Sequence, residues 1–349
     1  LFVTNNEISS ISDLLRILTE LGEAVEGHTR FFRGQGKADW EILPGIYRNQ
    51  KLTENEDKII KEALLNCPDD FLPTDTLLEK LVKLQHYGYP TRLLDLTMNA
   101  LVGLYFACSN TEHHDKDGEL IILDIPDQDI KYDDSDTVAI LVALSLLNLN
   151  FDLDRIRKDS YSSIPIKFMQ NNFVNEENKE SIKKVFMNHP IFDRIRIDWK
   201  INFEDWYSEY MEGKEIDKIV KQAFNEHEEI LKLLSIIKED KSGFLPIIYN
   251  KDLEKVLCVR AKLNNSRISR QQGAFLIFGI DKSKLSPSRI PTMWQLKINN
   301  NKIIVKADHK ANILKELRSF GISKQILFPE LESQASEIID QYRNKLKTN

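Results

Sequence analysis

Residues 84–107 read LQHYGYPTRLLDLTMNALVGLYFA. The run begins as the end of one helix and finishes as another. The first helix, expected over 74–87, places Leu77, Leu78, Leu81 and Leu84 on one face. Gly88 suits its C-terminal stop, and Pro90 prevents the helix from resuming. The second, expected over 98–109, is strongly apolar. The segment between them is expected to be a polar turn carrying Gln85, His86, Tyr87, Thr91, Arg92, Asp95 and Thr97, more polar chemistry than a connection needs. Thr97 is the expected N-cap of the second helix. Upstream, FFRGQ at 31–35 forms a second compact signal, read as a short strand ending at Gly34. Two polar clusters tied to apolar structure suggest one site assembled from distant segments.

The rest of the chain supplies a frame for that site. A helix capped at Ser9 or Ser10 is expected over 8–21, a charged helix over 54–65 and a core strand over 118–125. Residues 134–241 change character: an almost wholly apolar stretch at 136–149 is followed by helical patterns at 176–187, 203–211 and 214–239. They read as a helical insert between two parts of a discontinuous core, 1–133 and 242–349, and as the surface for partner or acceptor contact. Strand patterns return at 255–260 and 273–280. A hairpin is expected around INNNK, 298–302, then helices at 309–320 and 332–345. Strands on both sides of a helical segment favour an α+β fold over a parallel doubly wound one.

Bulk properties narrow the classes. The 349 residues suffice for one large domain or two ordinary ones, and 42% hydrophobic with 29% charged residues is ordinary for a globular protein. A net charge of -6 argues against indiscriminate coating of nucleic acid. Cys67, Cys108 and Cys258 are isolated, with no CxxC spacing, so a reducing compartment is expected and the chain is read as cytoplasmic with no membrane span. The chain lacks the GxxxxGK[ST] phosphate loop, the third glycine of a dinucleotide fingerprint, a second histidine after His227 for a zincin, and a GxSxG elbow. His113 and His114 beside Asp115 and Asp117 read as a solvated turn, and no metal is expected.

Phe32-Arg33-Gly34-Gln35, then Trp40, Leu43 and Pro44, then Gln85–Gly88, Pro90–Asp95 and Thr97 leading into the helix ending Tyr105-Phe106-Ala107, together resemble the FRG domain family. DGELIILDIP at 117–126, RISRQQGAFLIFG at 267–279 and GISKQILFPELE at 321–332 extend the resemblance over nearly the whole chain. The layout is also similar to that of the ADP-ribosyltransferases, which implies an α+β fold with a mixed or antiparallel sheet, NAD as substrate and transfer of ADP-ribose to a protein or nucleic acid. A bacterial toxin or phage-defence effector, with an antitoxin or other partner protein, is the setting this implies. NAD glycohydrolysis and a noncatalytic nucleotide- or partner-binding module are the alternatives.

The residues meet this expectation unevenly. Arg33 offers a planar fork for a pyrophosphate or a carboxylate, or a structural ion pair to Asp95, and Gly34 lets a ligand approach the backbone. Gln35 serves the same site or pairs backbone groups. His86 and Tyr87 are candidates to contact ribose and nicotinamide, or else favour a helix end and the core edge. Arg92 binds the cofactor or joins an internal Arg–Asp network. Thr97 marks a helix end whose free N–H groups attract a phosphate. Where the transferases carry a glutamate, this chain has Gln271 and Gln272; Gln272 can hold a ribose hydroxyl but cannot act as a base. Asp95, Glu330 and Glu332 are the other candidates for the carboxylate, the last two also reading as a helix start; without one, the noncatalytic nucleotide-binding module is the reading that fits.

Overall fold

The computed structural model describes residues 6–160, 221–262 and 266–331, and beyond these 333–335, 338, 339 and 342. The helices expected at 176–187 and 203–211, the first seven residues of the one expected at 214–239, most of the one expected at 332–345, and the candidate Glu332 lie outside the described residues.

Strands β1 (Glu7–Ile8), β2 (His28–Gln35), β3 (Leu93–Thr97), β4 (Gly118–Pro126), β5 (Ile130–Tyr132), β6 (Val256–Arg260), β7 (Gly273–Phe278), β8 (Gln295–Leu296) and β9 (Ile304–Val305) form one sheet. Its order is β1-β9-β4-β2-β3-β7-β6-β5, with β8 on β4. Only the outer pairs β1–β9 and β5–β6 are parallel; the other pairings are antiparallel. The fold is therefore mixed α/β with a mostly antiparallel sheet. Phe31, Leu94, Leu96, Ile121, Leu123 and Leu276 meet on one face, and the opposite face carries two further clusters. Strand β4 is covered on both sides, which explains why GELIILDIP is apolar nearly throughout instead of alternating.

The helices are α1 (Ile11–Leu21), α2 (Gln50–Glu54), α3 (Glu56–Asn66), α4 (Leu77–His86), α5 (Ala100–Cys108), α6 (Asp136–Ala143), α7 (Glu228–Asp240), α8 (Ser266–Gln271), α9 (Lys310–Ser319) and α10 (Lys324–Leu327). Ser10 caps α1, and Thr76 with Glu79 forms a reciprocal capping box on α4. The described parts of 134–241, α6 and α7, share a hydrophobic cluster with α3, α4, β6 and β7. Those two helices thus complete the core on one side of the sheet.

Two local expectations change. The segment 93–97 is a central strand, not part of a turn, and Thr97 does not cap α5: Asn99 does, its side chain accepting from the N–H groups of Leu101 and Val102. The hairpin at 294–305 is also smaller than expected. Its arms meet only at Ile298 and Asn301, around Asn299 and Asn300 at φ of 50° and 63°, while β8 and β9 each pair with β4. Asparagine tolerates that left-handed region better than other residues with side chains.

Candidate functional site: a cleft where the sheet splits

Strand β2 pairs with β4 through all eight residues, from His28 with Pro126 to Gln35 with Glu119. β3 pairs with β7 through all five. Between β2 and β3 the register contains one pair, Phe32 with Thr97. Continued antiparallel pairing would set Arg33 against Leu96 and Gly34 against Asp95; instead the strands part. The sheet consists of two well-paired halves hinged at one residue pair, and a cleft of about 400 Å³ opens in the split.

Helix α5 holds the β2 wall in place. A Cβ on Gly34 would lie 2.0 Å from the Gly103 carbonyl oxygen and 2.3 Å from the Ala107 nitrogen, and one on Gly103 would lie 2.9 Å from the Phe32 Cβ. Helix and strand touch backbone to backbone. The glycine of Phe-Arg-Gly is thus required by α5, which fills the space that the sequence had reserved for a ligand. Gly34 still borders the cleft through its backbone.

Arg33 turns into the cleft. It donates from one terminal nitrogen to the Asp95 carbonyl oxygen at 2.8 Å, bridging the strands where their own hydrogen bonds stop. Its Nε is buried without a hydrogen-bond partner. Loss of solvent lowers the guanidinium to about 10; nearby Asp95 opposes the shift and Arg48 adds to it. The ion pair to Asp95 is absent, because the contact goes to the backbone carbonyl. Gln35 is buried on the same strand, its amide nitrogen 3.4 Å from the Trp40 carbonyl oxygen and its own oxygen unpartnered.

On the opposite wall the Asp95 carboxylate is exposed and held by the Gln85 amide at 2.8 Å, while Gln85 accepts from the Thr91 hydroxyl at 2.5 Å. This relay ties the end of α4 to β3 and accounts for several polar residues of 85–95 together. His86 Nε2 lies 2.6 Å from a Glu330 carboxylate oxygen, joining α4 to the segment after α10. Burial, then the nearby Arg267 charge, holds the imidazole below its usual pKa against the opposing pull of Glu330 and Asp95. The other Glu330 oxygen is buried without a partner. The Arg267 guanidinium stacks on Phe328, 4.5 Å from the ring centre, and donates to the His86 carbonyl oxygen. Trp40 and Phe106 add apolar wall.

Three candidates leave the site. Arg92 is fully buried and forms two hydrogen bonds to Glu56, at 2.9 and 2.5 Å, and one to the Phe278 carbonyl oxygen. The internal network exists, but its carboxylate is Glu56 and not Asp95, and the guanidinium has no face toward the cleft. Tyr87 is 68% exposed and borders a neighbouring hollow beyond His86, shared with Glu79 and Lys262. Gln272 is exposed at a φ of 47°, where its backbone turns α8 into β7; Gln271 lines the cleft in its place. Thr97 stays at the cleft floor, donating to the Gln271 carbonyl oxygen at 2.6 Å and accepting from the Asn99 N–H.

Arg48, Arg267, Asn110 and Phe328 were not singled out from the sequence as site residues. Arg267 falls inside the RISRQQG run, so its neighbourhood was visible but its role was not. Arg48 had no signal beyond following the Trp-x-x-Leu-Pro stretch. Among the described residues no group of three or more His, Cys, Asp or Glu is placed to hold a metal, and no helix is long and apolar enough to cross a membrane.

The mixed α/β sheet is thus split around a cleft lined by arginines, aromatic rings and one carboxylate, Asp95, with Glu330 reaching its edge through His86. Residues 28–116 match the family model of the FRG domain, so the chain carries an FRG domain from the first residue of β2 to just before β4. The match takes in both opening motifs, and the cleft also draws on β7, α8 and residues near 330 beyond it. No curated protein and no solved structure matches the chain.

Proposed function

We propose that the cleft binds NAD and that the protein transfers ADP-ribose from it to a macromolecular acceptor, protein or nucleic acid, with an ADP-ribosyltransferase-like arrangement of the sheet. The observation that carries this reading is the split at Arg33 and Asp95. It sets a desolvated guanidinium without a carboxylate partner across from an exposed carboxylate, inside a cavity of the size that small-molecule sites have. Arg33 suits the pyrophosphate and Asp95 suits the positive charge that develops on the ribose.

In the reaction the bond from ribose C1′ to the nicotinamide nitrogen breaks, and its electron pair leaves with neutral nicotinamide. The oxocarbenium-like ribose is stabilised by a carboxylate, as in glycoside cleavage. An acceptor nitrogen or oxygen then forms the new bond to C1′ and gives up its proton. Asp95 is the first choice for both duties because it faces solvent and the cleft at once. Glu330 acts through His86, which its carboxylate contacts. A toxin or phage-defence effector is the context that such an activity fits.

Incubating the protein with labelled NAD and a cell lysate, beside Arg33→Ala, tests the reading. Label on macromolecules that disappears in the variant is expected. Nicotinamide release without label transfer would identify a glycohydrolase. Absence of both, with no NAD binding by calorimetry, would overturn the proposal.

A further inference from the structure

The acidic chain, with 54 Asp and Glu against 48 Lys and Arg, has carboxylates to spare, and several of its arginines use them: Arg30 with Asp124, Arg92 with Glu56, Arg157 with Glu254. Arg33 and Arg48 differ. Both line the cleft, and among the described residues neither has a carboxylate within ion-pair distance. Arg33 contacts the Asp95 carbonyl oxygen; Arg48 gives its Nε and one terminal nitrogen to a single acceptor, the Leu43 carbonyl oxygen, at 3.4 and 3.3 Å. Carbonyl oxygens orient a guanidinium without neutralising it.

The two charges also act on each other. Burial depresses the pKa of both guanidinium groups; Asp95 opposes this at each, and the Arg48 charge depresses Arg33 further by less than Asp95 raises it. Holding a desolvated guanidinium beside a second, rim-exposed cation costs free energy that an anion joining the two would offset. Trp40 holds Arg48 in place, its ring centre 5.6 Å from the guanidinium carbon, and the edge-on His113 ring lies 5.0 Å from Trp40 on a turn whose His113 carbonyl anchors the buried Lys310. The Arg48 wall is thus built upon fixed parts.

We propose that Arg33 and Arg48 form a diphosphate subsite at the Trp40 side of the cleft, and that the substrate class is a nucleoside diphosphate or a dinucleotide containing one. A lone carboxylate satisfies one guanidinium fork; two forks from separate segments, β2 and the turn at Gly45–Arg48, fit two linked phosphoryl groups. The exposed Asp95 repels the diphosphate and confines it to the Arg48 side of Arg33. For the identity of the attached nucleoside this rests on the NAD reading, but the subsite itself does not.

Calorimetric titration of the full chain with inorganic pyrophosphate, ADP, ADP-ribose, NAD and adenosine tests it, beside Arg48→Ala and Arg48→Lys. Arg48 is exposed at the rim, so its replacement leaves the core untouched. Pyrophosphate and ADP should bind where adenosine does not. Arg48→Ala should weaken ADP by about ten-fold or more, the scale of a lost charge-assisted hydrogen bond, and Arg48→Lys should restore part of it. Pyrophosphate and ADP binding with unchanged affinity in Arg48→Ala, or no binding of either by the wild type, would overturn the subsite. If pyrophosphate and ADP bind through Arg48 while NAD does not, the subsite stands and the NAD reading falls. If NAD binds or turns over identically in wild type and Arg48→Ala, the NAD reading stands and the subsite falls.

Discussion

Arg33 and Arg92 each belong to a polar run near the middle of the sheet, yet they do opposite things. Arg92 is sealed from solvent and its charge is answered inside the protein by Glu56, which also meets the buried Lys284 at 3.2 Å. Arg33 is desolvated too, but the protein answers it only with a carbonyl oxygen and leaves its Nε unpartnered. The difference lies in what each segment faces. Just before β3, Arg92 points back under α3, whereas β2 at Arg33 has parted from its neighbour. The fold supplies Arg92 with an ion-pair partner and Arg33 with none, and it is this difference that the proposed subsite uses.

The comparison breaks first at Glu56. Glu56→Gln removes one carboxylate from two buried cations, so it should cost about 3–5 kcal/mol, the range for stranding a buried charge. Urea unfolding measures this directly. A loss below about 1 kcal/mol would show that Arg92 and Lys284 find other partners. Next comes Gly34→Ala, whose methyl group has only the α5 backbone to displace; about 3 kcal/mol is expected, the upper end of overpacking. A smaller loss with normal ligand binding would mean that α5 shifts freely against β2. Arg33→Ala should behave in the reverse sense. Stability should change by no more than about 1 kcal/mol, since a charge lacking a counter-ion is removed, while binding of NAD or ADP is lost. A large loss of stability would place Arg33 with Arg92 as a structural residue.

The same contrast explains what was legible in the chain. The ends of α4, the apolar α5 and the buried β4 follow from side-chain spacing, because local periodicity reports burial. The polar residues around 85–97 announced a special place, but their separate duties depend on partners far away. Arg92 looks the same in sequence whether its carboxylate is Asp95, three residues on, or Glu56, thirty-six residues back. Strand β3 reads as a turn from sequence because Asp95 and Thr97 alternate with leucines over only five residues. That period of two was the available signal. The split between β2 and β3 leaves no mark on either strand, since it consists of hydrogen bonds that are not made. Arg48 and Arg267 enter the cleft from a turn and a short helix, where no pattern marks an inward-facing side.

His86 provides the smallest effect and the finest division between the two kinds of charge. Its contact with Glu330 looks like a second internal ion pair, comparable to Arg92 with Glu56. Yet burial and Arg267 together keep the imidazole below its usual pKa despite Glu330 and Asp95. A lowered folded-state value means that the unfolded chain takes up a proton first as pH falls. Stability attributable to His86 is then present above the unfolded value, about 6.5, and is lost as pH drops through that value toward the folded one. Other groups titrate over the same range, so the quantity to measure is the difference between wild type and His86→Gln in urea midpoints at about pH 8 and about pH 5.5. The wild type should lose more stability on acidification than the variant. If it loses less, His86 is held protonated by Glu330, and the pair belongs with Arg92 and Glu56 as internal neutralisation.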